Sequence, residues 1–366
     1  MTEKLKTLLH EQASTPDFAP VDLAAITATG DQRVRRRRGA GVVAGVAGLT
    51  VVSAAVAVGL GSADSPQVAE DPFPTGVLTW AHGSRLHTSA EQADVGHEIA
   101  AYVSTANGYV LTDGEGAVFS YVDGQTERVG TVASRQARLV ADADGSLAGW
   151  VDPSGDAPVF VVLDTDTGDV ITLDTAMTSD MGALADEEDP AYFYAIDGRT
   201  AYLRDQRGAI GLDVDDGGVV WKDETARNGF SLVAAENGIV ARDAGDRGML
   251  LEGPESEVLL RQVYASLGAF SPSGQWLTLD ADEPEVFDAH NGRRVPVDIE
   301  DRVFGTGYAW LDDQTLVLIA ARTENGPVEL LTCAIPSGTC AQAEEFGDFD
   351  DFTRDYVLPF GEEYED

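Results

Sequence analysis

The residues with the most chemical potential are Cys333 and Cys340, the only two cysteines of the chain. They flank the turn AIPSGT, a C-x6-C spacing that suits a cross-strand disulfide within one hairpin in an oxidising compartment. A redox-active pair is more often C-x-x-C, and a zinc site needs further ligands. The nearest histidine, His290, is more than forty residues away. Two Asp-rich turns, at Asp164, Asp166 and Asp169 and at Asp213, Asp215 and Asp216, carry carboxylates at calcium-like spacing. In both, glycine arrives at the fifth position, where an EF-hand loop needs it at the sixth. Solvated hairpin turns are the expectation, with no metal and no cofactor.

The five histidines are His10, His82, His87, His97 and His290. No G-x-S-x-G elbow and no H-E-x-x-H occurs, so no catalytic residue is assigned and the chain is not expected to be an enzyme. Trp80, Trp150, Trp221, Trp276 and Trp310 fall in separate apolar segments. They suit burial between sheets, or stacking on a sugar or peptide.

These residues sit on a chain with uneven charge. Residues 1–38 hold seven Lys/Arg and five acids, and residues 39–61 hold no charge. The remaining 305 residues carry 17 basic and 58 acidic groups, within a total of −39. Such acidity excludes nucleic acid as a partner, because phosphate binding needs a basic footprint. The stretch GAGVVAGVAGLTVVSAAVAVGLG spans roughly 34 Å as a helix, enough for a bilayer core of about 30 Å. Arg33, Arg35, Arg36, Arg37 and Arg38 abut its N-terminal end, and acids follow its C-terminal end. The positive-inside rule then puts residues 1–38 in the cytoplasm and the rest outside, with residues 39–61 as one transmembrane helix. A signal peptide fits less well, since its apolar run is shorter and its leader is brief. Residues 62–74, with Pro66, Pro72 and Pro74, read as a stiff extended linker.

From residue 75 to 366 the pattern is all-β. Apolar runs such as VFVVLDT, QWLTLDA and TLVLIAA alternate with Gly-, Asp- and Asn-rich turns. All five asparagines precede glycine, and five Asp-Gly pairs join them. Both dipeptides favour type I′ hairpins. Hairpins centred near Gly108, Gly145, Gly198, Gly238, Gly274 and Asp313 recur about every 40 residues. Most are followed by a second hairpin: DTDTG, DVDDG, DAHNG and CAIPSG. Two hairpins per period make four-stranded units, the mark of a β-propeller. Six such units are visible. A hairpin at residues 76–88 and a strand near Tyr356 to Phe360 would complete a seventh blade, so seven blades are favoured over six.

The segment SPSGQWLTL resembles the blade opening of TolB-like and WD40-like propellers, and AIGLDVDDGGVVWKD resembles a pyrroloquinoline-quinone-type repeat. The whole resembles the single-pass, exported propeller proteins of high-GC actinobacteria, with which three Lys against 21 Arg agrees. That resemblance implies a non-catalytic binding or scaffold module in the cell envelope. Its ligand would be an envelope protein, peptide or glycan docking at one propeller face. The alternatives are a receptor whose residues 1–38 bind a cytoplasmic regulator, in an anti-sigma-like manner, and an envelope enzyme built on the propeller.

Overall fold

The computed structural model describes residues 73–361, except 133–137, 143, 177–190, 224–231, 255, 266, 280–283 and 324–325. The five arginines before the apolar stretch, the stretch itself and residues 1–38 lie outside the described residues. Among the described residues no helix is long and apolar enough to cross a membrane.

Seven antiparallel sheets succeed one another along the chain, and they form a seven-bladed β-propeller. Blades 1 to 6 are four-stranded and begin at Ala101–Thr105, Val140–Ala141, Tyr192–Asp197, Leu232–Glu236, Gly268–Phe270 and Phe304–Asp312. These first strands lie against one another from blade to blade, so they ring the axis. They are apolar on both sides and largely buried, whereas fourth strands such as Asp169–Thr172 and Val219–Lys222 are mostly exposed. A strand covered on both faces reads as a continuous apolar run, and only the rim alternates.

Blade 7 uses both ends of the folded chain. Trp80–His82, Arg85–His87 and Gln92–Asp94 form its outer three strands, the last of which gave no strand signal in the sequence. The inner position is filled from the C-terminal side. The Ala81 N–H donates to the Val357 carbonyl (2.7 Å), and the Val357 N–H donates back (3.0 Å). The expected strand at Tyr356 to Phe360 is thus one bridge long. It follows a short helix, α1 (Phe349–Asp355), capped by the Asp348 carboxylate on the Asp351 N–H. Beyond the bridge, Phe360 is buried with its ring edge-on to Tyr308 of blade 6, centroids 5.1 Å apart. Gly361 then donates to the Tyr102 carbonyl of blade 1 (3.0 Å) and accepts from the Leu139 N–H at the start of blade 2 (2.8 Å). Its φ of +82°, with a Cβ position only 2.0 Å from the Leu139 oxygen, leaves room for glycine alone.

The turns hold neighbouring blades together, and here the expected geometry needs correction. Both central residues have positive φ at Asp123-Gly124 and Asn237-Gly238, as type I′ requires. At the Asp197-Gly198 pair the turn sits one residue later: Asp197 is paired with Thr200, and of the central residues Gly198 and Arg199 only the glycine has positive φ. The Asp197 carboxylate reaches sideways instead and accepts from the Gly238 N–H of blade 4 (2.7 Å), as Asp142 of blade 2 accepts from Gly198 (2.8 Å). Ala106 to Gly145, Asn237 to Ser273 and Ser273 to Asp313 carry the same lateral bonding across other junctions. Blades 1 to 6 are laced at every junction along this one face. The second hairpins have a different turn: Gly168, Gly217, Gly292 and Gly338 each donate to the carbonyl four residues back.

Truncating Phe360 to alanine removes the ring that wedges the closing segment against blade 6. We expect Phe360→Ala to cost about 3–5 kcal/mol. A urea denaturation series compares it with the exposed control Val170→Ala, which should fall within about 0.5 kcal/mol of the parent.

Candidate functional site

The disulfide lies in the last hairpin of blade 6. Val328–Ala334 pairs with Thr339–Glu345 so that Cys333 stands directly opposite Cys340, and the two sulfurs are bonded. The turn between them ends at Gly338, whose N–H donates to the Ala334 carbonyl (2.8 Å). Gly338 in turn anchors the connection from blade 5 to blade 6. Its carbonyl accepts from the Asp298 N–H (2.9 Å), and Asp298 bridges Thr339 in parallel. At φ +75° its Cβ position is 2.1 Å from the Pro296 oxygen, so a side chain there would push the connection away. Cys340 packs with Val297 and Ile299 against the buried core of blades 5 and 6.

This connection, residues 296–303, walls a cavity of about 580 Å³. That volume falls in the range of small-ligand pockets. Pro296 opens the wall because it has no N–H with which to extend the preceding strand, Arg294–Val295. Pro284, Val297, Ile299 and Val303 supply apolar lining, and Val303 is 61% exposed. Arg294, Arg302, Asp298 and Glu300 supply charge. Glu300 holds a left-handed φ of 56°, supported by its N–H bond to the Asp298 carboxylate (2.9 Å).

Arg302 of the wall belongs to an ion cluster centred on a buried carboxylate, Glu329. Glu329 is 2% exposed. It accepts from Arg302 Nε (2.8 Å) and from Arg322 Nε (2.7 Å). Arg302 also donates to the Ile299 carbonyl (3.2 Å), and Arg322 reaches Asp301 (2.9 Å). Burial pushes the Glu329 carboxyl up, but the two arginines outweigh it and hold it below its ordinary value. The cluster pins Asp301 and Arg302 to blade 6.

The other sequence candidates do not converge on this cavity. The first aspartate of each Asp-rich turn is spent locally: Asp164 and Asp213 accept from the N–H two residues on. Arg199 then bridges Asp164 and Asp215, tying the two turns together. Among the described residues no group of three or more His, Cys, Asp or Glu is arranged to hold a metal. Trp150, Trp276 and Trp310 are buried, and Trp310 donates to the Ala269 carbonyl of the preceding blade (3.1 Å). The five tryptophans lie in five blades and form no shared platform. His82, His87 and His97 stack on Tyr356, Trp80 and Phe119, so three histidines serve blade 7 and its borders. Burial, then His82 and Arg85, hold the His87 imidazole below its ordinary value. A second, smaller cavity of about 240 Å³ lies between blades 4 and 5, near Ile239, Pro254, Ser273 and His290. The connection 296–303 had no periodic signal in the sequence. Its one clue was Pro296, set between Val295 and Val297 just before the charged segment DIEDR.

No family model and no curated protein matches the chain. Among solved structures it is similar to U3-55K, at 11% identity, 69% of this chain, 82% of that one and a TM-score of 0.46. It is similar also to the RRP9 WD40 repeats, at 10% identity, 74% and 86% coverage and a TM-score of 0.45. A protein assigned as TolB from Agrobacterium tumefaciens aligns at 11% identity over 74% and 89%, with a TM-score of 0.39. The likeness to WD40 and TolB propellers is one of fold. The blade count rests on the chain's own seven sheets.

Two substitutions test this construction. Gly338→Ala should lower the melting temperature and raise hydrogen exchange at residues 296–303 ahead of the rest of blade 6. Glu329→Gln leaves the buried Arg302 with only the exposed Glu300, 3.6 Å away, and should cost about 3 kcal/mol at neutral pH. Because the folded-state pKa of Glu329 is depressed, its contribution is present above the usual carboxylate range and lost as pH falls through the folded value. The acid limb of a stability–pH curve should therefore be shallower in Glu329→Gln than in the parent.

Proposed function

We propose that the chain is a single-pass membrane protein whose acidic propeller lies outside the cell and acts as a non-catalytic binding or scaffold module of the envelope. The observation that carries the binding part is the cavity between blade 5 and the connection that leads to blade 6. It is open, apolar at its walls and charged at its rim, and it is built on a connection fastened by the disulfide hairpin and a buried ion cluster. Loops held on a rigid scaffold are where propellers and other β folds bind. Each titratable group near the cavity has a structural partner, which suits recognition better than proton transfer.

The uncharged stretch 39–61, preceded by Arg33 and Arg35 to Arg38, supports the membrane part and the orientation. An oxidising exterior agrees with the use of both cysteines in one disulfide. The partner is an envelope protein, peptide or glycan, and residues 1–38 remain available to a cytoplasmic protein.

The test is a cross-linked pull-down from native membranes, comparing the full chain with one lacking residues 2–32 but keeping the arginine run. We expect exported partners with both chains, and protection of the propeller from protease added to the cytoplasmic side of inverted vesicles. Loss of a cytoplasmic partner with the head would replace the scaffold reading by a receptor. Digestion of the propeller in inverted vesicles would overturn the orientation.

A further inference from the structure

Resting on that binding reading, we propose that the blade 5–6 cavity takes an extended partner segment with aliphatic and cationic side chains, a lysine or arginine lying between Asp298 and Glu300. Its apolar lining, from Pro284, Pro296, Val297, Ile299 and Val303, favours an aliphatic body over a bare ion. The charge around it selects the sign. Arg302 is 5% exposed in its side chain, bonded to Glu329 (2.7 Å) and 3.6 Å from Glu300. Arg322 is shared between Glu329 and Asp301, and Arg294 lies 3.2 Å from Glu285. Three arginines therefore meet five carboxylates: Glu285, Asp298, Glu300, Asp301 and Glu329. The excess of two is negative. It falls at the rim, where the Glu300 side chain is 66% exposed.

The arginines are engaged by carboxylates of this chain, so an anionic ligand must displace an existing pair. A cationic one adds to the exposed carboxylates of Asp298 and Glu300 and competes only with the longer Arg302–Glu300 contact, whose loss leaves Arg302 on Glu329. The chain's net charge of −39 works in the same direction, drawing cations toward the surface before they reach the cavity. The geometry also ties binding to the disulfide. Cys340, Val297 and Ile299 pack against the same buried cluster, so opening the Cys333–Cys340 bond should loosen the wall that the aliphatic body would touch.

The probe is a blocked hexapeptide alternating Lys and Val, titrated calorimetrically into the detergent-solubilised full chain at low salt, with a Glu–Val hexapeptide as its counterpart. We expect one saturable site for the Lys–Val peptide and none for the Glu–Val peptide. The double variant Asp298→Asn/Glu300→Gln should weaken binding at least fivefold. A control pair on exposed turns of blades 2 and 3, Asp166→Asn/Asp216→Asn, should change it less than twofold. Cys333→Ser/Cys340→Ser should weaken it as well, with the propeller still folded by circular dichroism. Equal weakening by the two carboxylate pairs would mean diffuse attraction to an acidic surface and would overturn the proposal. Binding of the Glu–Val peptide would do the same. A membrane partner captured equally well by Asp298→Asn/Glu300→Gln would overturn this assignment and leave the scaffold reading standing. Failure to capture any partner would count against the scaffold reading while leaving the peptide result intact.

Discussion

Two backbone hydrogen bonds between Ala81 and Val357 turn a row of sheets into a ring. Without them blade 7 would be three strands of three residues each, too short to stand alone. With them, the inner edge of blade 7 is paired as well. The bonds are few, so the surroundings secure them. Phe352, Leu358 and Phe360 are buried beside the bridge, and Gly361 extends the fastening to Tyr102 and Leu139. Closure therefore depends on apolar packing from the last dozen described residues more than on strand pairing.

The same economy appears in the turns. A glycine N–H at a tight turn points away from its own hairpin, and in an isolated hairpin it would bond water. Here Asp142 and Asp197 supply the acceptor from the preceding blade, so one carboxylate both ends its strand and fixes the angle to its neighbour. Asn237 and Asp313 continue the lacing by other atoms. The wall of the blade 5–6 cavity is fastened on the same principle, with Gly338 of one hairpin holding Asp298 of the adjoining connection.

Much of this was legible in the sequence, because a propeller repeats its signals. The hairpins at Gly108, Gly145, Gly198, Gly238, Gly274 and Asp313 are the junctions of first and second strands in blades 1 to 6. DTDTG, DVDDG, DAHNG and CAIPSG join third to fourth strands. The turn type was less legible. An Asp-Gly pair states that a tight turn is favourable but not whether its carboxylate will serve its own backbone or a neighbour 40 residues away. Gln92–Asp94 was not legible because Gln-Ala-Asp is too short to carry a period. The cavity was not legible for a related reason: it is made where the repeat is interrupted, between Pro296 and Val303, by residues whose partners Gly338 and Glu329 lie in blade 6. The cysteine pair was readable as a bond, but its position behind the cavity wall was not.

The entry of the chain into the ring has a mechanical consequence. Phe73 is buried, the Tyr109 hydroxyl donates to the Pro74 carbonyl, and the Thr75 hydroxyl donates to the Ala106 carbonyl (2.9 Å). The chain is clamped to blade 1 before it reaches Trp80 and the closing blade. A pull on the N-terminal side is therefore taken up by blade 1 first, and the Ala81–Val357 clasp lies downstream of that clamp. The arrangement works as strain relief works on a cable, keeping tension off the joint that would otherwise part first.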